Sequence, residues 1–144
     1  MKKFELTTDF ITVFGIKLFR IKALVEFGTV KAGDLGGYVE KEENLDRDGD
    51  AWVSGDAWVF GDARVSGDAD YACVKGFGTE YRNTTFFREK DGTVKVSYGC
   101  FFGTIPEFRK QVENTRSGKI AKEYLMIADL MELHFSKDGE SGDD

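Results

Sequence analysis

Four aspartates recur every six residues, Asp50, Asp56, Asp62 and Asp68, and two tryptophans and an arginine, Trp52, Trp58 and Arg64, keep the same step beside them. Large aromatics and an arginine at one repeated slot suit a protein-binding surface, because Trp and Arg dominate interface hot spots. Regularly spaced carboxylates suit turn chemistry, a weak cation site, or mimicry of the spaced negative charge of a nucleic-acid backbone. Nucleophilic chemistry has poorer material. Cys100 has one histidine in the whole chain to pair with, His134, and Cys73 lies at the fading edge of the repeat. Both cysteines read as small packed hydrophobes, and His134, near a helix C-terminus, as favourably placed for the helix dipole. Glu107, Glu113 and Glu123 read as capping and solvated helix positions, and no acid–base pair stands out. Two Cys and one His also leave little for a metal site. No cofactor is expected.

The elements that position these residues follow from the repeat. Gly49-Asp50-Ala51-Trp52-Val53-Ser54, Gly55-Asp56-Ala57-Trp58-Val59-Phe60, Gly61-Asp62-Ala63-Arg64-Val65-Ser66 and Gly67-Asp68-Ala69-Asp70-Tyr71-Ala72 share Gly-Asp-Ala. A period of six fits no 3.6-residue helix. Ala-x-Val puts two side chains on one side of a short strand, and Gly-Asp supplies a corner. Three strands and three corners make a triangular coil of about 18 residues, stacked on the next at about 4.8 Å. One inward column reads Val39, Leu45, Ala51, Ala57, Ala63 and Ala69. The second reads Val53, Val59, Val65, Tyr71 and Phe77, with Lys41 and Arg47 as its upstream equivalents. The coil is therefore placed at 37–78, a little over two turns, and its flanks must cap it.

This pattern resembles the left-handed β-helix of hexapeptide-repeat proteins, with Val53-Ser54-Gly55-Asp56-Ala57-Trp58 and Val59-Phe60-Gly61-Asp62-Ala63-Arg64 in its frame. Enzymes of that fold, acyltransferases and one class of carbonic anhydrase, use histidines between subunits, and residues 37–78 contain none. The resemblance thus implies the fold without the activity.

Upstream, residues 1–36 form a β cap: Phe10–Phe14 and Ile16–Leu24 alternate apolar with polar around Gly15, a hairpin signal. Gly36-Gly37 lacks the phosphate-loop pattern. Downstream, 79–135 reads as a ββαα unit. Thr84–Arg88 and Thr93–Tyr98 flank the turn Lys90-Asp91-Gly92. Thr104-Ile105-Pro106-Glu107 is a capping box starting a helix to Asn114. A second helix runs from Ile120 to Phe135 with Ile120, Tyr124, Ile127, Met131 and Phe135 on one face. Residues 136–144 read as a disordered acidic tail. The fold class is mainly β with α additions: a short left-handed parallel β-helix capped by a β-hairpin and a ββαα unit.

Charge narrows the partners. Net charge is −6 over 144 residues. Residues 37–78 hold 4 basic and 10 acidic side chains against near-neutral flanks, the wrong sign for direct nucleic-acid binding. No apolar run approaches the roughly 18 residues that span a bilayer. Met1-Lys2-Lys3 precedes Phe4-Glu5-Leu6 with no apolar signal region, so a cytoplasmic address is expected.

Arg20–Leu24, Gly33–Leu45, the Gly-Asp-Ala hexads and the stretch Gly99–Phe108 through Glu123–Leu125 together resemble a family of small proteins common in phages and prophages. The family has no agreed activity. The resemblance implies a non-enzymatic viral accessory role inside the host bacterium, with a host protein as partner. Its sharpest form is an inhibitor of a defence system, anti-CRISPR-like, whose acidic coil takes a basic nucleic-acid groove. Trp52, Trp58, Arg64, Asp50, Asp56, Asp62 and Asp68 would contact the partner. Alternatives are a structural homo-oligomer stacking coil on coil, and a sponge holding a signalling nucleotide with Arg20, Arg64 or Arg82.

Overall fold

The computed structural model describes residues 2–67, 70–78, 82–99 and 101–136. Among the described residues the chain is mainly β, with two four-stranded sheets and two α-helices. β1 (Phe4–Val13) and β2 (Ile16–Ala23) form an antiparallel hairpin in which Val13 opposes Ile16. Its turn puts both Phe14 and Gly15 at positive φ, 53° and 76°. Glycine adopts that backbone freely and phenylalanine rarely does. Phe14 is held there by ring contacts to Phe60 and Phe102, each at 6.1 Å.

β3 (Leu35–Val39) pairs antiparallel with β2 and parallel with β4 (Trp58–Val59), matching Tyr38 to Trp58 and Val39 to Val59. A further parallel bridge joins Leu45 to Val65. Two passes of chain thus run side by side with a step of twenty residues, not the eighteen of an unbroken hexad. Val39 and Leu45 therefore sit opposite the valine slots, although the six-residue count aligns them with the alanines. The two additional residues lie in the corner Asp46–Asp50, five residues long where Ser54-Gly55-Asp56 and Phe60-Gly61-Asp62 are three. Side-chain size explains the register, since branched Val39 and Leu45 match Val59 and Val65. The inward columns are otherwise as expected: Val39, Leu45, Ala51, Val53, Ala57, Val59, Ala63 and Val65 are all buried.

Gly36 and Gly37 let β3 approach this segment. A Cβ on Gly37 would stand 2.8 Å from both the Ala57 carbonyl oxygen and Val53 Cγ1. Between the passes, a 3-10 turn at Glu42–Asn44 turns Asn44 inward, wholly buried. Its Oδ1 accepts from the backbone N–H of Glu40 and Lys41, at 3.1 and 3.0 Å. Its Nδ2 donates to the carbonyls of Gly61 and Ala63, at 3.1 and 3.0 Å. The carboxamide is fully satisfied, as a buried polar group must be.

The second sheet is an antiparallel meander of β5 (Tyr71–Phe77), β6 (Arg82–Arg88), β7 (Val94–Tyr98) and β8 (Phe101–Thr104). Tyr71 and Phe77, read from sequence as inward positions of the coil, instead belong to β5, where Tyr71 opposes Phe87. The alternating run Tyr71–Phe77 is long enough to pair as an ordinary strand. Adjacent residues of β6 face opposite ways: Phe87 packs with the repeat segment, while Phe86 packs with the helices. This sheet also bonds directly to the repeat. Arg64 N–H donates to the Arg88 carbonyl at 3.0 Å and Lys90 N–H to the Asp62 carbonyl at 2.9 Å. Trp58 N–H donates to Thr85 Oγ1 at 3.1 Å. An open edge of the repeat is thereby paired, as exposed strand edges require.

α1 (Ile105–Thr115) starts at the capping box: Glu107 Oε1 accepts from Thr104 N–H at 2.8 Å, and Thr104 Oγ1 accepts from Glu107 N–H at 3.4 Å. α2 (Gly118–His134) buries Tyr124, Ile127, Ala128 and Met131 against α1 and the second sheet.

Candidate functional site

The two tryptophans of the repeat do not form an exposed pair. Trp52 is 9% exposed and meets the Phe27 ring edge-on at 5.4 Å. It passes over Gly36, where a Cβ would stand 2.7 Å from its Cζ2. Trp58 is half-buried and packs against the same cluster. Arg64 is exposed and lies between two depressions, one lined by Glu43, Asp46 and Asp48, the other by Lys41, Asp62 and Lys90. The N-terminal segment thus covers Trp52, while Arg64 and an edge of Trp58 face solvent.

The aspartate corners separate into two kinds. Asp56 is neutralised: Lys75 Nζ lies 2.8 Å and an Arg20 nitrogen 3.5 Å from its carboxylate. The Lys75 hydrogen bond and charge, with Arg20 behind them, hold its carboxyl below the usual range. The Asp56 carbonyl also accepts from Asn83 Nδ2. Asp50 and Asp62 are exposed and make no ion pair among the described residues. Asp68 lies outside the described residues. Asp46 is held low by the backbone N–H of Asp48 first, with Arg64 contributing.

Lys3 carries no repeat signature, so the sequence reading missed it. It is buried, donates from Nζ to the Ala51 carbonyl at 2.6 Å and the Gly49 carbonyl at 3.4 Å, and stands 4.6 Å above the Phe27 ring. Burial pushes its ammonium below the ordinary lysine value, while Asp46, Asp50 and Asp48 oppose that shift. The cation most closely bonded to the acidic corner is thus the protein's own.

A cleft of about 640 Å³ opens beside this corner, lined by Asp50, Trp52, Ser54, Tyr71 and Cys73 among others. Tyr71 hydroxyl and Ser54 Oγ lie 2.9 Å apart, and Ser54 N–H donates to the same hydroxyl. Cys73 is exposed as a residue, but its Sγ packs against Thr85 and Asn83. That desolvation raises the thiol, which leaves it a poor nucleophile at neutral pH. Cys100 lies outside the described residues. His134 is exposed at the end of α2, its ring on Phe135 at 4.8 Å.

For phosphate, Arg20 is already committed. It stacks on Tyr38 at 4.4 Å and donates to the Gly36 carbonyl at 2.7 Å, with Asp9 and Asp56 beside it. Arg64 lies among both signs of charge, with Glu43, Asp46, Asp48 and Asp62 on one hand and Lys41, Arg47 and Lys90 on the other, and the Arg82 side chain lies outside the described residues. Among the described residues no group of three or more His, Cys, Asp or Glu could hold a metal, and no helix is long and apolar enough to cross a membrane. No family model, curated protein or solved structure matches the chain.

Proposed function

We propose that the chain is a non-enzymatic phage accessory protein acting in the host cytoplasm, which inhibits a bacterial defence system by docking on one of its proteins. Its scaffold is a short left-handed β-helix. The parallel pairing of Tyr38–Val39 with Trp58–Val59 and of Leu45 with Val65 supports that scaffold, as do the buried alanine and valine columns. The observation that carries the function is the division among the corners. Lys3 serves the inner side of the corner at Asp50 and Lys75 serves Asp56, while the Asp48, Asp50 and Asp62 side chains stay exposed. Acidic corners left exposed suit a basic nucleic-acid groove on a protein, where opposite potentials raise association rates and fix register.

The working contacts are Asp50, Asp62, Arg64 and the open edge of Trp58, and Trp52 supports them from behind. The test is surface plasmon resonance of purified defence nuclease complexes over the immobilised protein. One complex should bind, in competition with its own nucleic acid and more weakly as salt rises. Asp50→Lys with Asp62→Lys should weaken it at least tenfold with far-UV CD unchanged. Binding that survives this variant, or that ignores competing nucleic acid, overturns the reading.

A further inference from the structure

The cleft beside the first acidic corner offers hydrogen-bond acceptors and no positive charge. Its volume of about 640 Å³ is that of an ordinary ligand site. Asp50 and Ser54 line it from the two ends of one pass of the repeat, with Trp52 midway between them in the chain. The Asp50 carboxylate is exposed and makes no ion pair among the described residues. Lys3 lies behind the corner, but gives its shortest hydrogen bond to the Ala51 carbonyl. Asp46, Asp48 and Asp50 against Arg47 and Lys3 leave the corner a net charge of −1. Among the described residues no basic side chain lines the cleft, so a phosphate or carboxylate would meet Asp50 with nothing to offset the repulsion.

We infer that the cleft receives an arginine side chain of the partner protein, its guanidinium on Asp50, its methylene stem along Trp52 and Tyr71, and its backbone amides at the Ser54 and Tyr71 hydroxyls. The inference deepens the proposed docking and rests on that reading for the source of the arginine.

The chemistry of the walls selects this residue. A guanidinium only donates, and it bonds a carboxylate through two parallel N–H groups. It is less strongly hydrated than an ammonium, which suits a cleft walled by aromatic rings, and its stem buries along apolar surface. At the other end the Ser54 and Tyr71 oxygens lie 2.9 Å apart. One of their two hydroxyl protons lies between them, so the other is free to donate to a backbone carbonyl, while Ser54 Oγ keeps a lone pair for a backbone N–H. Four residues of chain separate Asp50 from Ser54, at most about 14 Å, a span that one extended arginine residue covers with its flanking amides.

Trp58→Phe leaves Trp52 as the one tryptophan, and Cys100→Ser leaves Cys73, which also lines the cleft, as the one cysteine. Titrating that double variant with N-acetylarginine amide at constant ionic strength should give a saturable change in Trp52 fluorescence. Its Kd should be on the order of 1–10 mM, as befits so small a ligand. Saturation should slow alkylation of Cys73 by iodoacetamide at least threefold. The neutral isostere N-acetylcitrulline amide should do neither. Asp50→Asn should raise Kd at least fivefold, whereas Asp62→Asn, at the other open corner, should leave it unchanged. In the wild-type chain the arginine compound alone should shift the backbone amide NMR signals of Asp50, Trp52, Ser54 and Cys73, which keeps the test independent of how the variants fold. No saturable change, equal binding of the citrulline compound, or binding indifferent to Asp50→Asn overturns the inference. Arginine amide bound at Asp50 while no nuclease complex binds the protein overturns the docking reading and leaves the cleft an arginine site. A nuclease complex that binds a protein with no affinity for arginine amide overturns this inference alone.

Discussion

A methyl group at position 36 would stand 2.5 Å from the Val53 carbonyl oxygen and 2.7 Å from Trp52 Cζ2. Neither neighbour can move without lifting β3 from the repeat or displacing the ring that Phe27 seats. Gly36→Ala should therefore cost about 1–3 kcal/mol in urea unfolding, the usual penalty of overpacking. Gly67 is the control: it begins a Gly-Asp-Ala hexad, has nothing within 4 Å of its would-be Cβ and needs no positive φ. Gly67→Ala should stay within about 0.5 kcal/mol of wild type. The hexad glycines Gly49, Gly55 and Gly61 differ from it, with φ of 73°, 63° and 64°. Repetition in the sequence therefore marks four glycines alike, while the backbone requires left-handed geometry at three of them. Trp52 teaches the same caution: its slot is that of an outward residue, yet Phe27 and β3 enclose it.

At the scale of elements, local signals were readable wherever neighbours in sequence decide the outcome. The hairpin at Gly15, the capping box at Thr104 and the buried face of α2 each rest on residues within a turn or two of one another. Thr104→Ala removes the acceptor for Glu107 N–H and should cost about 1 kcal/mol in thermal or urea unfolding, as loss of an N-cap does. The buried columns of the repeat were equally legible, because a six-residue count needs no knowledge of the rest of the chain. Register was not. Whether Val39 sits opposite Ala57 or Val59 depends on how many residues the corner Asp46–Asp50 absorbs, which the pattern of apolar positions leaves undefined. Nor could the sequence assign Tyr71–Phe77, which suits a coil face and an antiparallel strand alike until β6 is present to pair with it. Of the candidate site, the residue types were readable and their exposure was not, since the covers come from Lys3, Phe27 and Thr85, all distant in sequence.

At the scale of the whole molecule, β6 holds two cores together by presenting Phe86 to one and Phe87 to the other. The second side is reinforced by a run of rings, with Phe60 lying 5.4 Å from Phe87 and 5.0 Å from Phe102. Phe87→Ala should cost about 3–5 kcal/mol and loosen the coupling between the halves. Both tryptophans belong to the repeat segment and both helices to the other side, so two probes separate them. Wild-type transitions by tryptophan fluorescence and by CD at 222 nm should coincide, and those of Phe87→Ala should part, with fluorescence changing first. Coincident transitions in the variant would show that Phe87 is not the coupling residue. The buried carboxamide of Asn44 adds a clock to this picture. Its two amide protons are held by carbonyls of the neighbouring pass and screened from water, so they trade for deuterium only when the passes separate. One side chain thereby times the opening of the repeat, whatever the helices are doing.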